Sequence, residues 1–500
     1  MKITKNRIIS RLSAGIFIFS CITTFPFFSQ GLFSSKNNSS TNSVVSNYQY
    51  ERQLNSVFET VQKYYVDVID PKILYEGALK GMLDALGDPY TTYLDSDYMR
   101  ELTDTTSGNF GGVGLTITKA VESTPDKPAY VEVVSTIEDS PGSRAGIRSG
   151  DCITAIDGES TPEMTMNQVL AKLRGQVGTP VTVNILRGAS MRFDVTLVRA
   201  LIEVPTAKFG MIENSSIGYV RLIEFTPETP HRMQDAINLF ESNGYTGMII
   251  DLRDNPGGLI TSVVSVADKF IDEGPIVTTK SRLVFENETY SATPYTTTVK
   301  KNIPIIVLIN HGSASASEIL SGALKDYHLA YLIGQRTYGK GSVQQVINLS
   351  QTDGYKITMA RYYTPSDVNI DKIGIPPDME VSNFDEMTPE QEEIYMKMIN
   401  SNIIEKTVEN NPNMKESDIA AAARSITATY SVDERIVRRL IRNQVQRLQE
   451  TPLYDLDYDL QLTAAIDILK TGKWNNLMKN TKTLKELQDS AALTIESEKK

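Results

Sequence analysis

The chain has 500 residues, 40% of them hydrophobic and 22% charged, with a formal net charge of −11. That length suits about three or four domains, and the composition is that of a folded chain rather than a disordered one. The acidic balance, with no basic cluster beyond the N-terminus, excludes nucleic acid as a partner.

The N-terminus differs from the rest. Lys2, Lys5, Arg7 and Arg11 precede the apolar run LSAGIFIFSCITTFPFF. Basic flank, apolar stretch and terminal position together read as an export signal over residues 1–34, either cleaved or kept as a membrane anchor. Such a run is at the short edge for a membrane span. Cys21, in IFSC, fits a lipidation site poorly because Phe19 is bulky and the apolar run continues past it. The polar residues 35–47 read as a flexible spacer. The chain is therefore expected to be exported, periplasmic or extracytoplasmic. With only Cys21 and Cys152, it has no disulfide framework.

Residues 48–102 read as a helical segment. Leu54, Val57, Phe58, Val61 and Tyr65 recur at helical spacing, and ILYEGALKGMLDAL runs to a stop at Gly87. These helices are too thin to bury much alone, so they should pack on other parts or on a second copy of the chain.

Residues 103–200 read as a β-rich unit. FGGVGLTITK is a glycine loop entering a strand, AYVEVVSTI alternates, and TMNQVLAKLRG is a helix ended by Gly175. TPVTVNILRG and RFDVTLVRA are closing strands. Cys152, in a strand-like run, reads as core. Residues 201–382 alternate apolar strands (SIGYVRLIEF, TGMIIDLRDNPGG, PIIVLIN, LAYLIG) with helices, the pattern of an α/β layered core. Residues 383–500 read as a helical region without chemistry of its own, with capping boxes at Thr388 and Ser431 and a stop at Gly472.

Three histidines, none in a metal-ligating pair, argue against a zinc or iron hydrolase. The stretch PIIVLINHGSASASEIL is a buried strand, a small-residue loop and a helix start. Ser315 and Glu318 form S-x-x-E, which suits a helix cap equally well. A cap alone does not need so many small neighbours. Small side chains admit a substrate backbone, and a helix start offers free amides to a developing oxyanion. His311 is a possible base four residues away, although no carboxylate is evident to orient it. A lysine is the other possibility. It acts as a base only when neutral, a form that burial favours, and Lys340 lies between Gly339 and Gly341 in RTYGKGSVQQ.

These motifs together resemble the carboxyl-terminal processing peptidases, a Ser-Lys family also called tail-specific proteases. SASASEI, GALKD and TYGKGSVQ resemble the family's catalytic signature. EGALKGMLDALGDPYTTYL resembles its N-terminal helices, GGVGL with SPGSRAGIRSGDCITAIDG its PDZ domain, and IIDLRDNPGGL with IGIPPDMEV its core. The likeness spans roughly residues 48–382, and the helical stretch 383–455 departs from it.

The resemblance implies a crotonase- and Clp-protease-like α/β core carrying an inserted PDZ domain. It implies Ser315 as nucleophile, Lys340 as base, Gln344 orienting the lysine, and the amides of Gly258 and Ala316 as oxyanion hole. Gly112, Val113, Gly114 and Leu115 would hold a peptide carboxylate, as PDZ glycine loops do, and Arg174 would couple that domain to the active site. The expected activity is serine endopeptidase cleavage near substrate C-termini, on unfolded or C-terminally exposed proteins, without a cofactor. Self-association through the helical termini is a further expectation. Two other readings start from the same residues: a PDZ scaffold without activity, and a crotonase-like acyl-CoA enzyme. The intact serine, lysine and glutamine oppose the first, and the export signal and PDZ domain oppose the second.

Overall fold

The computed structural model describes residues 21–22 and 41–498, apart from 97, 100–101, 103–108, 120–122, 124–127, 138–139, 149, 189, 204, 383–386 and 447–451. Nearly all of the basic and apolar N-terminal segment lies outside the described residues. Among those described, no helix is long and apolar enough to cross a membrane.

The chain begins with α1 (Thr41–Tyr64) and α2 (Pro71–Asp84). Helix α1 starts inside the stretch expected to be a spacer. Thr, Asn and Ser are linker residues by composition, but they also favour helix starts. Asp70 caps α2 by accepting the Lys72 N–H (2.9 Å), and Gly87, at φ +65°, turns the chain away after it. Of the apolar positions of α1, Leu54 and Val57 remain exposed, and Phe58 and Val61 are half-buried among the described residues. The segment is tied down at β1 (Thr92–Leu94), which pairs with β17 (Gly354–Tyr363).

The β-rich unit opens with β2 (Asn109–Gly112). It continues through β3 (Leu115–Lys119), β4 (Val131–Thr136) and β5 (Cys152–Ile156) to α3 (Met166–Leu173). Strands β6 (Pro180–Arg187) and β7 (Met191–Val198) complete an antiparallel sheet in the order β3-β4-β5-β6-β7. Its core of Val131, Val133, Ile153, Ile156, Val183 and Ile185 is closed by Val169 and Leu173 of α3. Strand β8 (Ala200–Glu203) then pairs antiparallel with β2, so the unit leaves the chain beside the point where it entered.

The central sheet has the order β9-β10-β11-β14-β15-β18, with only β9 antiparallel to its neighbour. These strands are β9 (Ala207–Met211), β10 (Ile217–Leu222), β11 (Gly247–Asp251), β14 (Ile305–Ile309), β15 (Tyr331–Gly334) and β18 (Met379–Glu380). Helices α4 (Thr229–Ser242), α5 (Ile260–Ala267) and α6 (Ala316–Asp326) cover one face. An antiparallel sheet stands beside it, built from β12 (Pro275–Ser281), β13 (Glu288–Ser291), β16 (Ser342–Asn348) and β17, with β1 on β17 and Cys21–Ile22 alongside β16.

The other face of the central sheet gives part of residues 383–500, expected only as a helical region, a place in the core. Strands β11 and β14 are buried at every position, which requires cover on both sides. The second cover is α11 (Leu460–Lys470), whose Leu462, Ala465, Ile466 and Ile468 pack on Ile249, Ile306, Leu308 and Ile333. Burying each of those Leu and Ile side chains contributes about 1.5–3 kcal/mol. Before α11, helices α7 (Pro389–Asn400), α8 (Ile403–Asn410), α9 (Glu416–Tyr430) and α10 (Glu434–Gln446) enclose a core of their own. Thr388 forms the expected capping box. Ser431 does not: it ends α9 in the left-handed conformation, and Asp433 takes the Arg435 N–H (2.7 Å) at the start of α10. After α11 come α12 (Trp474–Met478) and α13 (Leu484–Glu498), which returns to α6 through Leu484.

Candidate active site

The parallel strands β11 and β14 end side by side, and the loops that leave them meet. The loop after β14 carries the three alternating serines, which the structure sorts by role. Ser313 donates to the Leu252 carbonyl (2.8 Å) and Ser317 to the Asn255 carbonyl (2.9 Å), so both tie this loop to the one after β11. Ser315, between them, is fully buried and held at φ +55° and ψ −113°. A serine in that region of backbone space is strained and persists only where surrounding structure enforces it.

The enforcing residue is Glu318. Its carboxylate is buried, and one oxygen accepts both the Ser315 N–H (2.9 Å) and the Lys340 N–H (2.8 Å). The other accepts the Gly339 N–H (2.7 Å) and the Thr337 hydroxyl (2.6 Å). Burial raises this carboxyl above its ordinary value against the pull of those bonds. S-x-x-E thus does more than start a helix: a single side chain joins the serine loop to the lysine loop. The Tyr362 hydroxyl adds a second link, lying 3.2 Å from the Ser315 carbonyl and also against the Lys340 carbonyl. Both contacts were missed in the sequence, because Glu318 passes for a cap and nothing local marks Tyr362.

Lys340 is 2% exposed. Its flanking glycines are there for backbone clearance. Gly339 sits at φ +90°, and a Cβ on Gly341 would come within 2.6 Å of the Asp371 amide nitrogen. The Lys340 Nζ lies 4.9 Å from the centre of the Tyr90 ring, so the segment that follows α2 reaches the site. Burial and the neighbouring Tyr338 push the Tyr90 hydroxyl up to about 12. Asp88, two residues earlier, accepts the Thr358 hydroxyl (2.6 Å), and Thr358 in turn accepts from the Gln344 side-chain amide (3.2 Å). Gln344 also donates to Ser342 (2.9 Å), while its buried Oε1 has no partner among the described residues. An orphaned buried acceptor suits an amine donor.

Gly257 and Gly258 close the site. A Cβ on Gly257 would lie 2.8 Å from the Ser315 Cβ and 3.0 Å from the Ala316 nitrogen, and one on Gly258 would strike the Phe225 carbonyl at 2.2 Å. Only glycine lets this loop press against the serine. Neither the Gly258 nor the Ala316 N–H has an acceptor among the described residues, and Ala316 opens α6, where amides are free by construction. His311 is exposed and rests on Tyr338 (ring centres 5.5 Å apart).

Near the glycine loop, Glu224 is half-buried, and this burial pushes its carboxyl up to about 7 from an ordinary 4.5. The folded state holds this proton to higher pH than the unfolded chain does, so stability falls as pH rises from about 4.5 to about 7. Glu224→Gln is expected to stabilise the protein at pH 8 by about 1–3 kcal/mol and to leave it unchanged at pH 4.5. Thermal unfolding at the two pH values checks this; an equal shift at both would remove the titration as its cause.

In the β-rich unit, Gly114 takes φ +70°, and a Cβ there would overlap Ser140. Its carbonyl accepts from Ile137 N–H (2.9 Å) and from the Ser140 hydroxyl (3.1 Å). The N–H groups of Val113 and Gly114 have no acceptor among the described residues, and Leu115 begins β3. Gly112 ends β2. Arg174 follows α3, with its guanidinium 4.7 Å from the centre of the Phe110 ring on β2.

Comparison with known proteins matches each of these parts. A model of peptidase family S41 covers residues 216–381 and a PDZ domain model residues 132–187. A model of the activating protease CtpB N-terminal domain covers residues 26–98. These family matches define a serine peptidase carrying a PDZ domain. The chain is 40% identical over 346 residues to a carboxy-terminal-processing protease of Bartonella bacilliformis, covering 68% of this chain and 77% of the relative. It is 32% identical over 325 residues to the carboxy-terminal processing protease CtpA of Bacillus subtilis, covering 65% and 67%. Among solved structures it is similar to a photosystem II D1 C-terminal processing protease, at 30% identity, with 66% and 93% of the two chains covered and a TM-score of 0.41. The chain belongs to the carboxy-terminal processing proteases of peptidase family S41.

Proposed function

We propose that this protein is an exported endopeptidase that cuts proteins near exposed C-termini with a Ser315–Lys340 dyad, on a crotonase- and Clp-like core. The observation that carries the reading is the shared Glu318 oxygen, which draws the Ser315 and Lys340 amides to one buried point beside Gly257. Neutral Lys340 takes the Ser315 proton as the hydroxyl oxygen attacks the peptide carbonyl. The Gly258 and Ala316 amides receive the negative charge on the carbonyl oxygen. Collapse breaks the C–N bond, Lys340 returns the proton to the leaving amine, and water then hydrolyses the acyl-serine by the same route. Gln344 Oε1 accepts from the lysine amine and orients it.

A peptide C-terminus binds at Gly112–Leu115, its carboxylate on the amides and its strand along β3, while Arg174 relays occupancy to the core. The N-terminal segment serves export and holds the protein at the membrane if retained. The exposed apolar positions of α1 fit association with a second copy. We expect amidation of a substrate C-terminus to slow cleavage about tenfold through loss of charge-assisted hydrogen bonds. Arg174→Ala lowers turnover without changing stability. Cleavage of an unfolded substrate, free-acid against amide and read by mass spectrometry, decides it. Equal rates would remove C-terminal recognition and leave a general protease.

A further inference from the structure

Arg253 is a largely buried charge that this chemistry leaves unexplained. It lies two residues beyond the end of β11, at the start of the loop whose far end carries Gly257 and Gly258. Its guanidinium is gripped from two sides. From β11, Asp251 accepts from Nε (2.9 Å) and Nη2 (2.5 Å). From the C-terminal region, Asp459 accepts from Nη1 (2.8 Å) and Nη2 (2.6 Å), and the Gln461 Oε1 accepts from Nη1 (2.9 Å). Burial works against the Asp251 charge, and Arg253 more than offsets it, holding that carboxyl below its usual range.

Asp459 is itself fixed. It caps α11 by accepting the Leu462 N–H (3.0 Å), and Gln461 donates to the Val381 carbonyl (2.7 Å). The clamp is therefore anchored on the helix that seals the central sheet. Beyond Arg253 the loop is stitched by Asp254 N–H to Asn310 (2.9 Å) and by Gly257 N–H to the Asn255 side chain (2.9 Å). A displacement at Arg253 is thus passed along short bonds toward Gly258. A cavity of about 380 Å³, lined by Arg221, Arg253, Asn310, Arg439, Tyr454 and Asp459, flanks the guanidinium. Released from Asp459, the guanidinium has room to swing, so packing alone does not hold it.

We infer that Asp459, assisted by Gln461, is a positioning residue for the reaction: through Arg253 it sets where the Gly258 amide meets the oxyanion. The C-terminal region then tunes the chemistry it lies beside. This rests on the assignment of Ser315 and the Gly258 and Ala316 amides given above.

The test uses the full chain and a peptidyl boronic acid, which adds a serine oxygen to boron and gives a tetrahedral anion. Asp459→Asn keeps a good helix cap and removes the charge. It is expected to lower kcat and boronate affinity about tenfold while KM, the affinity for the matching unreactive peptide and the melting temperature stay within twofold or a few degrees. Asp459→Glu, a poorer cap that restores the charge, recovers part of the boronate affinity. Gln461→Met shifts it in the same direction by less. Equal weakening of boronate and peptide, or no change in either, overturns the inference. Should Asp459→Asn fail to fold, Gln461→Met decides alone: unchanged boronate affinity overturns it. Boronate binding that survives Ser315→Ala in otherwise unaltered protein counts instead against the nucleophile assignment itself.

Discussion

Ser315→Ala and Lys340→Ala are each expected to reduce cleavage about 10⁴-fold or more, with the double variant no worse than either. Residues that act as one unit fail together, and each single loss already removes the covalent route. The fold should survive in Ser315→Ala, since Ser313 and Ser317 supply the side-chain bonds that hold the loop. Cleavage by the unaltered protein should rise from mildly acidic to alkaline pH, because only a neutral amine accepts the serine proton. Substantial activity in Lys340→Ala would sink the Ser-Lys assignment, and complete loss in His311→Ala would bring the histidine back.

Glu318 is expected to be nearly as costly and for a different reason. Glu318→Ala leaves four buried donors, at Ser315, Thr337, Gly339 and Lys340, without their acceptor. A destabilisation of about 3–5 kcal/mol follows, along with loss of cleavage. Glu318→Gln separates the two effects. It keeps the volume but sets an amide N–H₂ against the donors on one side, so one of the two carboxylate oxygens that tie Ser315 to the lysine loop is lost as an acceptor while the rest of the core is intact. About a hundredfold fall in kcat with a small change in melting temperature is the expected result. Normal kcat in Glu318→Gln would mean that the remaining oxygen and Tyr362 are enough to hold the two loops together.

Much of this was legible in the chain because the informative residues were local. Strand, small-residue loop and helix follow one another around Ser315, and Lys340 is bracketed by glycines whose purpose the backbone makes plain. What could not be read was set by distant pairing. Glu318 looks like half of a capping box from either side, and only the fold shows that two of its acceptor sites serve residues more than twenty positions away. Gly257 was passed over beside Gly258, although it is the glycine that faces Ser315. Ser431 satisfied a capping pattern, yet Asp433 stood two residues nearer the helix. The place of the C-terminal helices could not be read because their own periodicity says nothing about which sheet they cover, and the apolar runs of β11 and β14, which need cover on both faces, were the available clue.

The lid supplied by α11 has a bearing on how the molecule comes into being. Strands β10, β11 and β14 are synthesised well before residues 460–470, and until those residues emerge one side of the sheet has no apolar partner. Contacts of such sequence separation form late, and a growing chain folds its earlier units first. The β-rich unit, whose core closes within residues 113–197, can be complete while the catalytic sheet is still half covered. An enzyme that cuts polypeptides is thereby kept from finishing its own machinery until residues 460–470 have been made.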